Sequence, residues 1–299
     1  MVVSPNGDVM ASRSFRARTQ QRLHLTRPLS STQFVVSENT AQRQLEALRL
    51  EFAELYRELF EAAQMQRMMS GPRLLRRGEF ELAAEIFPVR HLSGDFLSIS
   101  DSGSTTLLAI GDIEGKGLRA GMWFTHFLGL TRMFAESTAD PGEALAELNQ
   151  HVCLEQSQPP LTSLFLARLD WTAGTMVYSS AGHPAPLLLR ADGVIETLSA
   201  GGPLLSAVPG AAFESASLEF GRGDMFVAYT DGLLECANES FEEFGVQRVI
   251  EGLRSTNPKN SVTEILFSII GAAQDFAGTR PRADDCTAIV LRRDGAIAA

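Results

Sequence analysis

Between Ala41 and Met69 the chain repeats a seam residue every three or four positions, at Leu45, Leu48, Phe52, Leu55, Leu59, Ala62, Gln66 and Met69, with Gln66 the one polar member. This 3-4 alternation, with Glu and Arg in the intervals, lays one stripe along a helix, as the a and d sites of a heptad repeat do. Gly71-Pro72 then stops it. Two readings fit the stripe. One is a helical linker that pairs with a second copy to make a homodimer. The other is an amphipathic helix packed on its own chain, since Leu50, Tyr56 and Phe60 widen the stripe beyond a strict seam. The length of the repeat favours the first.

After the stop the period shortens to that of strands. Runs over 80–89, 96–99 and 105–110 are β-rich and punctuated by Gly and Asp. Helical spacing returns over 117–136 and again over 141–155, where Asp140 precedes Pro141 as a cap followed by proline at the first helical position. Strands are expected over 163–170, 175–180, 186–190 and 225–230, helices near 244–254 and 261–276, and a last strand over 287–292. Two blocks of antiparallel strands with helices between and after them predict an α+β fold, two stacked sheets flanked by helices. The expected organisation is a disordered tail over 1–40, a helical linker over 41–72, one catalytic-sized domain over 73–294 and a short tail over 295–299.

Composition narrows the classes. At 299 residues the chain is large enough to bury a stable core without disulfides. Cys153, Cys236 and Cys286 are odd in number and lack CxxC spacing, which points to packed thiols in a reducing cytoplasm. The net charge of −10 is uneven: residues 1–36 carry five arginines against Asp8 alone, about +4, leaving about −14 for the rest. An acidic body argues against nucleic acid as a partner. The most apolar stretch, from Trp123 to Phe134, is broken by His126 and Arg132, so no membrane span is expected. With 40 residues ahead of the linker, no sensor-sized module is expected there, and an input signal is expected from an upstream regulator acting on the helix.

The chemistry concentrates in four aspartates, each in a short turn beside a predicted strand: Asp95 in SGDF, Asp112 in IGDIEGKG, Asp231 in YTDG and Asp284 in ADDCT. Convergent carboxylates suit hard divalent cations. Competing motifs fail on spacing. GDIEGKG has three residues between Gly111 and Gly115 and Gly117 after Lys116, which excludes a P-loop. Gly115, Gly117 and Ala120 fit GxGxxA, but the acid downstream, Asp140, sits between helices and not at a strand end. SGDF lacks the rest of a diguanylate cyclase turn.

Five stretches in order, SGDF, AIGDIEGKG, YSSAGHPAPLLLR, YTDGLLE with EEFG, and ADDCTAIVLRR, resemble the PPM metal-dependent serine/threonine protein phosphatases in their bacterial SpoIIE/RsbU branch. The resemblance covers about residues 79–293. It implies an α-β-β-α sandwich holding two divalent cations, Mn²⁺ or Mg²⁺. It also implies hydrolysis of phosphoserine or phosphothreonine on an anti-sigma-factor antagonist. Carried over by position, Asp95, Asp112, Asp231 and Asp284 match the metal ligands, with the Ile113 backbone carbonyl as a further oxygen and Asp112 as the bridge between cations. The first motif departs from the common GGDxxD, with Ser93 for the first Gly and Ser98 for the second Asp, which puts an auxiliary acid in doubt. Two cations can activate a water, so no protein nucleophile is required.

Other residues keep two readings. Glu114, where eukaryotic relatives carry a histidine, reads as a solvated loop carboxylate, with general acid as the alternative. His183 in AGHP reads as a turn residue, with support of the ligands as the alternative. Lys116 is expected to pair with the acidic cluster rather than with phosphate. Asp285 should point away from Asp284 in extended backbone, so that only one of the two ligates directly; the register of the family motif implies Asp284, with Asp285 behind it. The functional alternative to an active phosphatase is a catalytically weak module of the same fold that signals through its linker.

Overall fold

The computed structural model describes residues 31–156, 158–257 and 259–294, with 31–39 described by backbone alone. The expected tails therefore fall outside the described residues over 1–30 and 295–299. Helix α1 spans Ser31–Met69. It opens ahead of Ala41 because residues 31–40 contain neither Gly nor Pro to stop a helix, so that part of the expected tail is helical.

The described chain divides after Ala53. Up to that point α1 exposes its seam, with Leu45 48% and Leu48 62% accessible. From Glu54 onward the chain is one compact unit. The boundary expected at residue 73 therefore lies earlier, and the reason is bonding from the last turns of α1. Arg67 pairs with Glu85 at 2.8 Å, and Arg132 donates to the Met69 carbonyl at 2.6 Å. Gln66 is buried against Ser93. Gly71 ends the helix at φ +90°, where a Cβ would lie 2.0 Å from the Ile99 carbonyl oxygen, so only glycine fits.

Strands β1 (Leu74–Arg77), β2 (Phe80–Phe87), β3 (Asp95–Asp101) and β4 (Thr105–Ile113) come next, followed by helices α2 (Leu118–Ser137) and α3 (Pro141–Cys153). Then follow β5 (Thr162–Asp170), β6 (Thr175–Ala181), β7 (Leu187–Leu189), β8 (Ile195–Thr197), β9 (Gly201–Gly202), β10 (Ala216–Glu219) and β11 (Met225–Tyr229). The chain closes with α4 (Asp231–Leu234), α5 (Gly245–Arg254), α6 (Val262–Ala277) and β12 (Cys286–Arg293). The cap read at Asp140 is present, its side chain accepting from the Gly142 and Glu143 amides. Among the described residues no helix is long and apolar enough to cross a membrane.

One sheet runs β1-β2-β12-β11-β7-β8 and the other β10-β6-β5-β4-β3. Pairing is antiparallel throughout, apart from the two-residue β9, which lies parallel to β6. Strand alternation builds three layers of core. Leu97, Ile99, Leu108, Ile110 and Phe165 of one sheet meet Leu82, Phe226, Ala228, Ile289 and Leu291 of the other. The opposite faces pack on helices: Val227, Tyr229, Ala288 and Val290 on α5 and α6, and Phe96, Ala109, Leu164 and Leu166 on α2 and α3. Each fully buried Leu, Ile or Phe here contributes about 1.5–3 kcal/mol. The result is the expected α-β-β-α sandwich.

Four strand ends meet at one end of the sandwich. β3 begins at Asp95, β4 ends at Asp112-Ile113, β11 ends just before Thr230-Asp231, and β12 begins after Asp284-Asp285.

Candidate metal centre

Asp95 and Asp112 are direct partners in the β3–β4 register, so their side chains share a face. That face is the one turned toward the other sheet, because Leu97 and Ile110, two positions from each, lie in the core between the sheets. Asp95 is 1% exposed. Its Oδ2 accepts from the hydroxyls of Thr230 at 2.9 Å and Thr287 at 2.5 Å, which reach across from the opposite sheet. Burial pushes its carboxyl well above the usual range, opposed by Thr287 and reinforced by Asp112 and Asp285.

Asp112 lies higher, on the wall of a cleft of about 600 Å³ that Asp231, Asp284, Glu114, Ser163 and His183 also line. Burial raises its carboxyl to about 7, with Asp231, Asp284 and Asp285 adding repulsion. Asp231 is raised as well, first by burial and then by Asp284. Two glycines allow the close approach. A Cβ on Gly232 would lie 1.7 Å from the Asp285 carbonyl oxygen, so YTDG can pack onto ADDCT. A Cβ on Gly94 would lie 3.0 Å from the Ile113 carbonyl oxygen and 3.2 Å from Asp112 Oδ1. Those two oxygens therefore converge beside the SGDF turn.

The DD pair divides as strand alternation predicts. Asp284 faces the cleft, where its Oδ2 accepts from Lys116 Nζ at 2.8 Å. Asp285 turns the other way and clamps the loop before β3, accepting from the Val89 amide at 2.6 Å, the Ser93 hydroxyl at 2.9 Å and the Gly94 amide at 2.7 Å. Ser93, a departure from the common motif, thus contributes a hydroxyl that glycine would lack. Ser98 lies three residues from Asp95 and hence on the opposite face of β3, against Arg132 of α2 at 3.3 Å. An acid lost at that position is not lost from the cleft.

Glu114 is exposed on the rim, and its carboxylate accepts weakly from the Leu161 amide at 3.4 Å. His183 is buried, its ring Nδ1 2.9 Å from Ser163 Oγ; it is held in the turn by its own amide on Ser180 Oγ at 3.2 Å. Sequence reasoning missed Thr230, Thr287 and Ser163. Only Thr230 carries a signal, as the neighbour of Asp231.

The oxygen-only donor set, carboxylates plus the Ile113 carbonyl, fits a hard divalent cation. Among the described residues no three His, Cys, Asp or Glu side chains form a closed ligand set. Asp284 leans to Lys116 and Asp95 to its two threonines, so the oxygens converge on the cleft without being drawn onto one point.

Residues 102–294 match the family described as Stage II sporulation protein E (SpoIIE). The chain is 27% identical to Protein IcfG of Synechocystis, over 72% of this chain and 38% of IcfG, so it spans well under half that relative. It is 26% identical to the Phosphoserine phosphatase RsbU of Bacillus subtilis, over 80% of this chain and 71% of RsbU. The SiaA-PP2C domain of Pseudomonas aeruginosa superposes with a TM-score of 0.69 at 18% identity, over 81% of this chain and 98% of that one, which shows a shared fold.

Proposed function

The chain belongs to the SpoIIE family, within the SpoIIE/RsbU branch of the PPM phosphatases, and on that footing we propose that it hydrolyses phosphoserine or phosphothreonine on a regulatory protein partner. The observation that carries the reading is the convergence of Asp112, Asp231 and Asp284, from three separate elements, on one open cleft. In this reading Asp95, Asp112, the Ile113 carbonyl, Asp231 and Asp284 hold two Mn²⁺ or Mg²⁺ ions, with Asp112 shared between them. Such a pair supplies an activated water and neutralises phosphate oxygens.

The chain's own groups do the rest. Thr230 and Thr287 fix Asp95 at the floor, and Asp285 fixes the loop that carries it. Lys116 offsets the charge of Asp284, and His183 supports the wall. Glu114, exposed on the rim with its carboxylate accepting from the Leu161 amide, keeps its reading as a solvated loop carboxylate. Cys153, Cys236 and Cys286 stay outside the cleft lining, in keeping with a mechanism that needs no protein nucleophile.

The partner proposed is a phosphorylated anti-sigma-factor antagonist in a cytoplasmic partner-switching pathway, as the SpoIIE/RsbU resemblance implies. The exposed N-terminal part of the helical linker pairs two copies, and the linker receives an upstream regulator. Hydrolysis of p-nitrophenyl phosphate by the full chain tests the enzyme reading. The expected result is turnover with millimolar Mn²⁺, loss of it in chelator, and loss of at least 100-fold in Asp112→Asn and Asp231→Asn. A folded wild type without turnover would favour the weak signalling module. Near-normal turnover in either variant would remove that residue from the site.

A further inference from the structure

Asp112 and Ser163 are register partners on β4 and β5, and the Asp112 amide also reaches the Ser163 side chain. It donates to the Ser163 side-chain oxygen at 3.1 Å. The ladder is crowded at this point: a Cβ on Gly111 would lie 2.0 Å from the Ser163 carbonyl oxygen. The last residues of β4 therefore run very close to β5, and a hydroxyl completes the contact.

A serine oxygen that accepts from an amide still has its own proton to give. The acceptor in reach is His183 Nδ1 at 2.9 Å. This order of donors, Asp112 N–H to Ser163 Oγ–H to His183 Nδ1, requires a neutral imidazole with its proton on Nε2. Burial supplies that condition, holding the ring's pKa down to about 3 against a smaller opposing pull from the Tyr229 backbone. Gly182 places the ring: it adopts φ +64°, and a Cβ there would meet Leu204 at 2.7 Å.

We propose that Ser163 and His183 are a positioning pair for Asp112, setting the backbone of the shared ligand through a side-chain relay added to the strand ladder. The proposal rests on the phosphatase reading, because it gives Asp112 the central ligand place. Neither residue touches the reacting atoms. The pair acts by fixing where the Asp112 carboxylate and the Ile113 carbonyl, carried on consecutive residues, enter the cleft. Groups that orient a metal ligand in this way typically change metal affinity by about 10–100-fold when removed.

The test is Mn²⁺ titration of the full chain by calorimetry, with thermal melts in chelator and hydrolysis measured in parallel. Ser163→Ala and His183→Ala should each weaken Mn²⁺ binding by about 10–100-fold, and the double variant should be little worse than the worse single one. Ser163→Thr keeps the hydroxyl, and His183→Asn offers an amide oxygen near the place of Nδ1. Both should restore binding to within about threefold of wild type. Additive losses, or an Asn variant as weak as the Ala variant, would reduce the pair to ordinary packing and overturn the proposal, as would unchanged affinity in folded alanine variants. If an alanine variant fails to fold, the Thr and Asn variants decide by the same criterion. A wild type that binds Mn²⁺ and hydrolyses phosphate while the variants match it sinks this inference alone. A wild type that does neither sinks the phosphatase reading first.

Discussion

Gln66 in the last turn of α1 and Ser93 in the loop before β3 exchange two hydrogen bonds: Gln66 Nε2 donates to the Ser93 carbonyl at 2.9 Å, and the Ser93 amide donates to Gln66 Oε1 at 3.1 Å. The Ser93 hydroxyl donates onward to Asp285, and Asp95 lies two residues further along. The one polar member of the helical seam thus ties α1 to the floor of the cleft. Gln66→Ala leaves the buried amide and carbonyl of Ser93 unpaired, and the expected cost is about 1–3 kcal/mol of stability. The apparent Mn²⁺ constant for activity should rise as well, because the tie holds the loop that carries Asp95. Melts and Mn²⁺ titrations of the variant check both; a lower melting point with an unchanged metal constant would make the tie structural only. Removing residues 1–72 would strip the packed turns of α1 from the compact unit, so the point change is the cleaner probe.

Asp112 gives the protein a definite pH signature in chelator. Its carboxyl is raised from 3.8 to about 7 in the fold, chiefly by burial. The protonated form suits the folded state better, so the stability it contributes is full below about pH 4 and is lost as pH rises through about 7. Thermal midpoints in chelator should therefore fall between pH 5 and pH 8. Asp112→Asn cannot ionise, so its midpoint should fall less over that range and lie above wild type at pH 8. Equal falls in the two proteins would contradict the assigned environment of Asp112.

The seam of α1 is divided in use. Leu45, Leu48, Phe52 and Leu55 are exposed, whereas Leu59 and Met69 are half-buried and Gln66 is buried in the chain's own compact unit. Pairing with a second copy would fall to the N-terminal part. Leu48→Asp with Leu55→Asp places two charges in that seam, at a cost of several kcal/mol, and should turn a dimer into a monomer. Light scattering of both proteins decides; a wild type that is already monomeric removes the homodimer.

The meeting of the aspartates was legible because Asp95 and Asp231 stand in turns whose glycines permit close approach. Gly94 and Gly232 bring SGDF to Ile113 and YTDG to ADDCT. Extended backbone separated the side chains of Asp284 and Asp285, and the family resemblance chose between them. Strand alternation also placed Ser98 on the far face of β3, which motif spacing alone had obscured. The strands β1, β8, β9 and β10 are too short to show a period. Ser163, Thr230 and Thr287 act through pairings between distant segments, and a single sequence carries no mark of which hydroxyl faces which carboxylate. The seam of α1 announced a helix but not that Gln66 would turn inward, since a heptad pattern looks the same whether a partner chain or the chain itself covers it.

Under the proposed function the carboxylate cleft is a two-cation site organised on Asp112. Counting Mn²⁺ ions bound per full chain, by equilibrium dialysis against the wild type and Asp112→Asn, tests it most directly. The expected count is about two per wild-type chain, with a loss from both positions in the variant, because one carboxylate would serve both ions. Stoichiometric binding that survives unchanged in Asp112→Asn would contradict it.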